Sequence, residues 1–262
     1  MAETHPNGTS ANGTGANGSR PRDLAGTAAP LLTVDAVTVD YGGTKGLDNV
    51  SLSVARGEVL AVLGANGAGK TSLLNAVLGM VRVSGGKVIF GQADVTQLRP
   101  AARVKAGMAV VPEGRRVFGS MSVAENLRVG GFTRPKDVRR RVDALLEQFP
   151  ILASRSRQLA GTLSGGEQQI LAIARALAAE PSVLLLDEPS LGLSPIMVSK
   201  VYETLEGLKS TGLTMVLVEQ SLEWATSIAH RVCLLELGHL RLTTDPESAK
   251  TDGRIAALYL GS

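Results

Sequence analysis

The sequence predicts an α/β protein, in which a largely parallel β-sheet is covered by helices on both faces. Short segments rich in apolar and β-branched residues alternate along the chain with segments whose apolar residues recur at helical spacing. One mainly helical stretch, from about residue 114 to residue 163, interrupts this alternation. It predicts a helical subdomain inserted into the sheet core. The 262 residues, 44% of them hydrophobic and 19% charged, are enough for such a core and a small subdomain.

The first 30 residues are of a different kind, because they repeat Asn-Gly-Thr/Ser and contain almost no large apolar side chain. Such a segment cannot bury enough surface to offset its ordering entropy. We therefore expect a disordered tail over residues 1–30 and a folded domain over residues 31–262. Asn7, Asn12 and Asn17 match the glycosylation pattern, but no signal peptide precedes them, and chance matches explain them better.

Charge and composition narrow the classes of partner. The net charge of +3 is too small to indicate nucleic acid by itself, and we expect no nucleic acid partner. No apolar run approaches the roughly 18 residues that a membrane-spanning helix needs. The single cysteine, Cys233, allows no intrachain disulfide and lies in the apolar run "VCLLEL", so we expect a buried thiol in a reduced, cytosolic protein.

The elements of the predicted domain follow one another in a clear order. Two strand-like stretches, "LLTVDAVTVDY" and "VSLSVARGEVLAVLG", precede the helix "GKTSLLNAVLGM" and the short strands "KVIF" and "MAVVP". The helical stretch contains "VAENLRVGGF" and "PKDVRRRVDALLEQFPIL". The alternation resumes with the helix "EQQILAIARALAAE", the strand "SVLLLDEP", the helix "MVSKVYETLEGL" and the strand "LTMVLVEQ".

A complete phosphate-binding motif, "GANGAGKTS", opens the first predicted helix. It fits G-x-x-x-x-G-K-[ST] between a strand and a helix, which is the context that a P-loop needs and a glycine-rich turn with an incidental lysine lacks. Its backbone N–H groups and the helix dipole favour phosphate. We expect Lys70 to bind the β- and γ-phosphates and Thr71 to ligate Mg²⁺. The predicted nucleotide-binding residues are Gly64, Ala65, Asn66, Gly67, Ala68, Gly69, Lys70, Thr71 and Ser72.

Two adjacent carboxylates end the predicted strand "SVLLLDEP". Buried charge is costly unless it is paired or bound to a metal. We therefore expect Asp187 to hold Mg²⁺ through water and Glu188 to polarise the water that attacks the γ-phosphate. A strand that ends in solvent could also carry this pair, but the P-loop in the same chain favours the catalytic interpretation.

The segment "LSGGEQQ" supplies a second helix start with exposed backbone N–H groups. We expect Ser164, Gly165, Gly166 and Glu167 to contact a nucleotide. One domain does not need two phosphate-binding devices for one nucleotide, so this segment predicts a dimer in which it closes over the P-loop of the other chain. A simple helix cap, with Ser164 and Glu167 in a capping box, is compatible with that role.

These three motifs, in this order, resemble those of the ATP-binding subunits of ABC transporters, and the resemblance covers residues 31–262. It implies a RecA-like P-loop NTPase core with a parallel sheet, an added antiparallel β part and the inserted helical subdomain. It also implies an ATPase that uses ATP and Mg²⁺, with Tyr41 stacking on adenine. An aromatic residue at this position is otherwise a routine strand residue.

Four further segments resemble the second ATP-binding subunit of branched-chain amino acid uptake systems: "VPEGRRVFGSMSVAENL", "GGF", "SLGLSP" and "LVEQ". This resemblance implies a homodimer or a heterodimer with a sister ATPase, transmembrane permease subunits as partners, and a solute-binding protein as an indirect partner. It also implies a peripheral position at the cytoplasmic face of the plasma membrane. Related systems for urea or amides use similar segments, so the transported solute stays open.

Three positions depart from the general pattern of the family. Glu113 stands where the family usually has Gln, Ser194 where it has Asp, and Gln220 where it has His. Glu113 could ligate Mg²⁺ or its waters, and Gln220 keeps a donor that could reach a γ-phosphate oxygen without becoming cationic. We expect hydrolysis to survive, with Glu188, Gln220 and Lys70 as the catalytic residues.

The loop after Glu113 could dock a membrane partner, because this family receives a short helix of the permease there. Phe118 and Met121 would support docking if exposed, or they could pack in the subdomain core. Arg115 and Arg116 could simply be charged side chains in solvent, without a binding role.

Two other functional classes stay open. A family member acting on DNA or ribosomes would usually carry a long coiled coil or a second ATPase domain, and neither is present in the sequence. A catalytically weak regulatory partner is suggested by the three departures.

Overall fold

Ten strands and ten helices make up the computed structural model, which describes the backbone of residues 29–260 and the side chains of residues 29–256. The tail predicted over residues 1–30 lies outside the described residues, except for its last two. The strands are β1 (Leu32–Asp40), β2 (Lys45–Val54), β3 (Val59–Leu63), β4 (Gly85–Phe90), β5 (Ala93–Asp94), β6 (Met108–Val111), β7 (Val183–Asp187), β8 (Thr214–Glu219), β9 (Arg231–Glu236) and β10 (His239–Thr244).

The helices lie mostly where the sequence shows helical spacing. They are α1 (Lys70–Leu78), α2 (Pro100–Ala106), α3 (Val123–Gly130), α4 (Val138–Gln148), α5 (Pro150–Ala153), α6 (Gly165–Leu177), α7 (Pro195–Ser210), α8 (Leu222–Ile228), α9 (Pro246–Thr251) and α10 (Gly253–Leu260). A short 3-10 turn, Ala160–Thr162, precedes α6.

The main sheet has the strand order β10-β9-β3-β8-β7-β6, and all its pairs are parallel except the antiparallel pair of β9 and β10. Every residue of β3, β7 and β8 is buried, since helices cover both faces of the sheet. This burial explains why their sequences are nearly continuous apolar runs rather than alternating ones. The predicted parallel sheet is confirmed.

A second sheet of four antiparallel strands, in the order β2-β1-β4-β5, confirms the antiparallel part of the predicted fold. Its buried face and α1 share one hydrophobic cluster with the main sheet, which includes Val37, Val50, Leu74 and Val216. The P-loop helix is therefore packed between the two sheets. Cys233 is buried in the same cluster, as predicted.

Helices α3 to α5 come between β6 and α6, in the stretch where the sequence predicts a helical insertion. Their buried residues share a cluster with α6, α7 and the other face of the main sheet, which includes Leu127, Leu152, Leu171, Leu205 and Leu217. Helix α6 lies between this helical part and the sheet and contacts both. Among residues 29–260, none of the helices is both long enough and apolar enough to cross a membrane.

Candidate active site

Three neighbouring strands bring the predicted active-site residues together. The P-loop follows β3, Asp187 ends β7, and Glu219 ends β8. These strands are adjacent and parallel in the order β3-β8-β7, so their carboxyl ends lie at one edge of the sheet. Ligands of open α/β sheets bind at this edge. The P-loop and the carboxylate pair, which are far apart in sequence, therefore share one site.

The P-loop backbone requires glycine at Gly69, which precedes α1 with a φ of 105°. A side chain there would be strained and would also collide with the carbonyl oxygen of Gly46. No side chain caps α1, and its first turn contains no acidic residue. The first N–H groups of α1 are therefore left without a side-chain cap, which suits a bound phosphate.

Lys70 is the buried cation of the site, with a side chain only 5% exposed. Its Nζ donates to the carbonyl oxygens of Gly64, at 2.8 Å, and Ala65, at 3.1 Å. It also lies 3.0 Å from Oε1 of Glu188. This ion pair compensates two charges that would otherwise be costly to bury. A phosphate bound by Lys70 would compete with Glu188 for the ammonium.

Glu188 is held by contacts from β8, the strand next to β7. Its Oε2 accepts a 2.6 Å hydrogen bond from Nε2 of Gln220, which also donates to Oδ1 of Asn66 at 2.8 Å. The backbone of Glu188 has a φ of 45°, and its N–H donates to the carbonyl of Val218 at 3.0 Å. A left-handed conformation is uncommon for a residue other than glycine and persists only where its surroundings support it. Gln220 thus contacts the predicted catalytic carboxylate directly.

Asp187 fits the predicted Mg²⁺ role. Burial and the nearby charges of Glu188 and Glu113 raise the pKa of Asp187 to about 6, although a hydrogen bond from Thr71 and the charge of Lys70 oppose the shift. Its Oδ1 is buried and has no hydrogen-bond partner among the described residues. Such an orphaned oxygen suits a metal ion or a metal-bound water.

Carboxylates alone do not form a metal site here, because no group of three or more His, Cys, Asp or Glu residues is arranged to hold a metal within the described part of the chain. A Mg²⁺ ion would therefore depend on the Thr71 hydroxyl, Asp187, phosphate oxygens and water, a mixed oxygen set that this ion favours. Glu113 is exposed, and its charge acts on Asp187.

Tyr41 lies beside the P-loop with half of its side chain exposed. Its OH donates to Oγ of Ser72 at 3.2 Å, and its ring packs over Gly46. A ring that is 52% exposed next to the P-loop helix has a free surface on which a base could stack.

The residues Ser164 to Glu167 form the capping box that the sequence predicts. Oγ of Ser164 accepts from the N–H of Glu167 at 3.4 Å, and Oε2 of Glu167 accepts from the N–H of Ser164 at 2.9 Å. Arg155 pairs with the same carboxylate at 2.9 Å. Two backbone N–H groups at the start of α6 are thus capped by side chains of the segment itself. Its proposed nucleotide contact stays a prediction.

Two apolar residues in the loop after Glu113 are exposed, as the predicted docking of a membrane partner would require. The exposed fractions are 46% for Phe118 and 37% for Met121, and Arg175 lies over the Phe118 ring at 5.1 Å. Arg115 is more than solvated charge, because its guanidinium donates to the carbonyl of Gly192 at 3.1 Å and contacts Gly165. Nothing in the sequence distinguishes Arg115 from Arg116 in this respect.

Sequence reasoning passed over Glu219, the residue before Gln220. Glu219 is 1% exposed and accepts hydrogen bonds from Ser190, Tyr202 and the N–H of Gln220. The sequence does carry a signal for this residue, because it places an acidic side chain in a buried apolar strand. A buried charge is costly unless hydrogen-bond donors surround it.

Comparison with known proteins identifies the family of this chain. The profile of the family described as ABC transporter matches residues 47–191. The high-affinity branched-chain amino acid transport ATP-binding protein BraG of Pseudomonas aeruginosa is 42% identical over 232 residues, which cover 88% of this chain and 100% of that relative. The lipopolysaccharide export system ATP-binding protein LptB of Haemophilus influenzae is 33% identical over 235 residues, covering 88% of this chain and 97% of that relative.

Solved structures show the same fold. A nucleotide-free ATP-binding cassette from an ABC transporter superposes with a TM-score of 0.82 at 24% identity, covering 89% of this chain and 100% of that chain. The ADP conformation of MJ1267, an ATP-binding cassette of an ABC transporter, gives a TM-score of 0.81 at 25% identity, covering 90% of this chain and 100% of that chain. The chain therefore belongs to the ABC transporter family, in which it is an ATP-binding and ATP-hydrolysing subunit.

Proposed function

We propose that this chain is the ATP-hydrolysing subunit of an importer for branched-chain amino acids. The 42% identity to BraG over all of that relative supports this substrate class. A probable branched-chain amino acid transport ATP-binding protein, LivF of Archaeoglobus fulgidus, is 38% identical over 196 residues, covering 74% of this chain and 83% of that relative. Urea, amides, other amino acids and, from the LptB relative, lipopolysaccharide are the competing cargoes.

The observation that carries the hydrolytic mechanism is the contact of Lys70 and Gln220 with Glu188 at one sheet edge. In the proposed mechanism the P-loop N–H groups and Lys70 bind the β- and γ-phosphates. Glu188, released from Lys70 by the phosphate, accepts a proton from the attacking water. Gln220 keeps Glu188 oriented with one amide hydrogen, and the other, which here donates to Asn66, would turn to the γ-phosphate as a neutral donor.

Mg²⁺, which would neutralise phosphate charge, is assigned to Thr71 and Asp187, with Glu113 acting on the ion or its waters. The orphaned Oδ1 of Asp187 supports this assignment. Tyr41 is assigned to adenine stacking, since its exposed ring lies beside the P-loop.

We assign Ser164, Gly165 and Gly166 to the nucleotide bound by a second ATP-binding subunit, either another copy or a sister ATPase. Exposed apolar side chains support a dimer contact next to Ser194, which precedes α7: Leu191 is 49% exposed and Ile196 is 72% exposed. Glu167 contributes by holding the capping box rather than as a free ligand.

Membrane coupling is assigned to the exposed Phe118 and Met121, where transmembrane permease subunits would dock. In this proposal the chain is peripheral at the cytoplasmic face of the plasma membrane and serves a solute-binding protein indirectly. Residues 31–262 form the ATP-binding domain, and residues 114–163 form its helical subdomain.

Uptake measurements in cells that lack this chain's gene test the substrate class. We expect labelled leucine uptake to fall and to return with the intact chain, but not with Glu188→Gln. Unchanged leucine uptake together with lost uptake of urea or an amide would reject the branched-chain assignment and keep the ATPase assignment.

A further inference from the structure

A buried carboxylate lies directly behind the proposed catalytic residues and has no direct role in the phosphate chemistry described above. Glu219 ends β8 with 1% of its surface exposed. None of the ion pairs of the described residues involves Glu219. Its partners are instead four hydrogen-bond donors, which compensate a charge that would otherwise be costly to bury.

The four donors divide unequally between the two carboxylate oxygens. Oε1 accepts from Oγ of Ser190 at 2.7 Å, from the N–H of Ser190 at 3.3 Å and from the OH of Tyr202 at 2.9 Å. Oε2 accepts from the N–H of Gln220 at 3.0 Å. Two of the donors are backbone groups, so the position of Glu219 fixes the course of the chain at both Ser190 and Gln220.

Those two chain segments are the ones that place Glu188. Ser190 follows Glu188 by two residues, and the side chain of Gln220 donates to Oε2 of Glu188 at 2.6 Å. Glu188 itself has a φ of 45°, a conformation that its surroundings must support. Glu219 joins the segment after Glu188 to the residue that contacts its carboxylate.

The OH of Tyr202 donates to Glu219 from a side chain that is itself held in place. Its ring lies 4.8 Å from the ring of Trp224, measured between centroids, so α7 and α8 hold it in place. Burial and the charge of Glu219 raise the pKa of Tyr202 far above its ordinary value. The phenol therefore keeps its proton and remains a donor over the working pH range of a protein.

We propose that Glu219 is a positioning residue for ATP hydrolysis, which orients Glu188 by fixing Ser190 and the peptide N–H of Gln220. The inference rests on the proposed function, because it takes Glu188 as the catalytic carboxylate. Glu219 touches neither nucleotide nor water in this account and acts only through its neighbours.

Glu219→Gln is the sharpest variant, because it keeps the size of the side chain and removes one acceptor. If the remaining oxygen faces Ser190 and Tyr202, the new amide NH₂ faces the N–H of Gln220. If the amide turns round, its NH₂ faces the N–H of Ser190. Either way one backbone donor loses its partner, and we expect kcat of the purified full-length chain to fall about tenfold. The Kd for ATP should stay within about twofold, since the P-loop is untouched.

Ser190 offers a paired test that does not change a buried charge. Ser190→Ala removes the hydroxyl donor, and we expect kcat to fall about threefold. Ser190→Thr keeps a hydroxyl, so it should recover at least part of that loss. This pair decides the question if Glu219→Gln does not fold, because recovery by Thr supports the proposal and equal rates for all three chains overturn it.

The matched control is Glu58→Gln, at the opposite edge of the same sheet. Glu58 is also a largely buried glutamate, and it pairs with Arg231 at 2.8 Å. We expect this variant to lower Tm without changing kcat per folded molecule. At an equal loss of Tm, Glu219→Gln should lower kcat and Glu58→Gln should not.

Two outcomes would overturn the proposal. One is that Glu219→Gln lowers Tm as Glu58→Gln does while kcat stays at the wild-type value. The other is that the Kd for ATP rises in proportion to the loss of kcat, which would place Glu219 in binding. Failure of the proposed function is distinguishable, because then Glu188→Gln, measured in parallel, would hydrolyse ATP at the wild-type rate.

Discussion

The P-loop and the segment Ser164 to Glu167 are both helix starts suited to phosphate, yet the folded chain completes them differently. Helix α1 begins without any side-chain cap, and the charge of Lys70 is compensated by Glu188 from a distant strand. Helix α6 begins with a full capping box and an ion pair between Glu167 and Arg155. The start of α1 depends on long-range contacts with the proposed hydrolytic residues. The start of α6 is formed locally, and the backbone N–H groups of Ser164 and Glu167 already have hydrogen-bond partners.

This difference fits the separate roles that we propose for the two helix starts. The P-loop lies next to Glu188 and Gln220, so binding and hydrolysis can be coupled within one subunit. The capped segment forms its hydrogen bonds from its own residues, which suits the proposed contact with the nucleotide of a partner. The two starts should therefore respond differently to mutation.

The largest expected effect comes from Lys70→Ala. It removes the phosphate ligand and leaves Glu188 as an unpaired buried carboxylate, so ATP affinity should fall about 100-fold or more and hydrolysis should be lost. Nucleotide titration and phosphate release measure the two effects. The control is Lys45→Ala, which breaks an exposed pair with Asp48 of similar length, 2.8 Å, and should leave both unchanged. Equal ATP affinity in both variants would contradict the role of Lys70.

Gln220→Ala should have a smaller effect than Lys70→Ala. It removes the hydrogen bonds to Glu188 and Asn66, so we expect hydrolysis to slow about tenfold while ATP binding weakens less. Steady-state kinetics beside ATP titration separate the two quantities. Gln158→Ala, which removes a comparable bond to Thr162 far from the P-loop, is the control. Equal rates of ATP hydrolysis for wild type and Gln220→Ala would show that Gln220 ends the strand without a catalytic role.

Ser164→Ala tests the second helix start. Loss of an N-cap destabilises a helix by about 1 kcal/mol, and the proposed partner contact would be lost with it. We expect ATP-dependent dimerisation to weaken about fivefold while a single subunit binds ATP normally. Ser122→Ala is a close control, since Ser122 and Glu125 form the same capping box at α3. If both variants weaken dimerisation equally, the segment is a cap and nothing more.

Arg155→Gln should give the smallest effect. The pair with Glu167 is partly exposed, and such pairs contribute about 0–1 kcal/mol. Because the capping box remains, thermal unfolding and dimerisation should both change little. A loss as large as that of Ser164→Ala would show that the ion pair, rather than the cap, forms this helix start.

Much of this comparison could be predicted from the sequence. The P-loop, the carboxylate pair and the capping box are local patterns, in which neighbouring residues determine the geometry. The strand–helix alternation predicted the parallel sheet. The departure at Gln220 indicated the end of β8, where the structure places its side chain against Glu188.

The contacts between distant segments could not be predicted. The pair of Lys70 and Glu188 joins residues from different strands, and the position of Glu219 depends on Tyr202 and Ser190, which only the folded sheet brings near. The sequence shows Glu219 only as an acidic residue at the end of an apolar run. Its burial and its four donors are properties of the packed structure.

Phosphate release by Glu188→Gln tests the central claim most directly, which is that the edge formed by β3, β8 and β7 binds ATP and hydrolyses it through Glu188. We predict that the variant binds ATP with wild-type affinity, because the P-loop is intact, and that turnover falls at least about 100-fold. Its ATP-bound dimers should accumulate. Turnover near the wild-type rate in this variant would contradict the account.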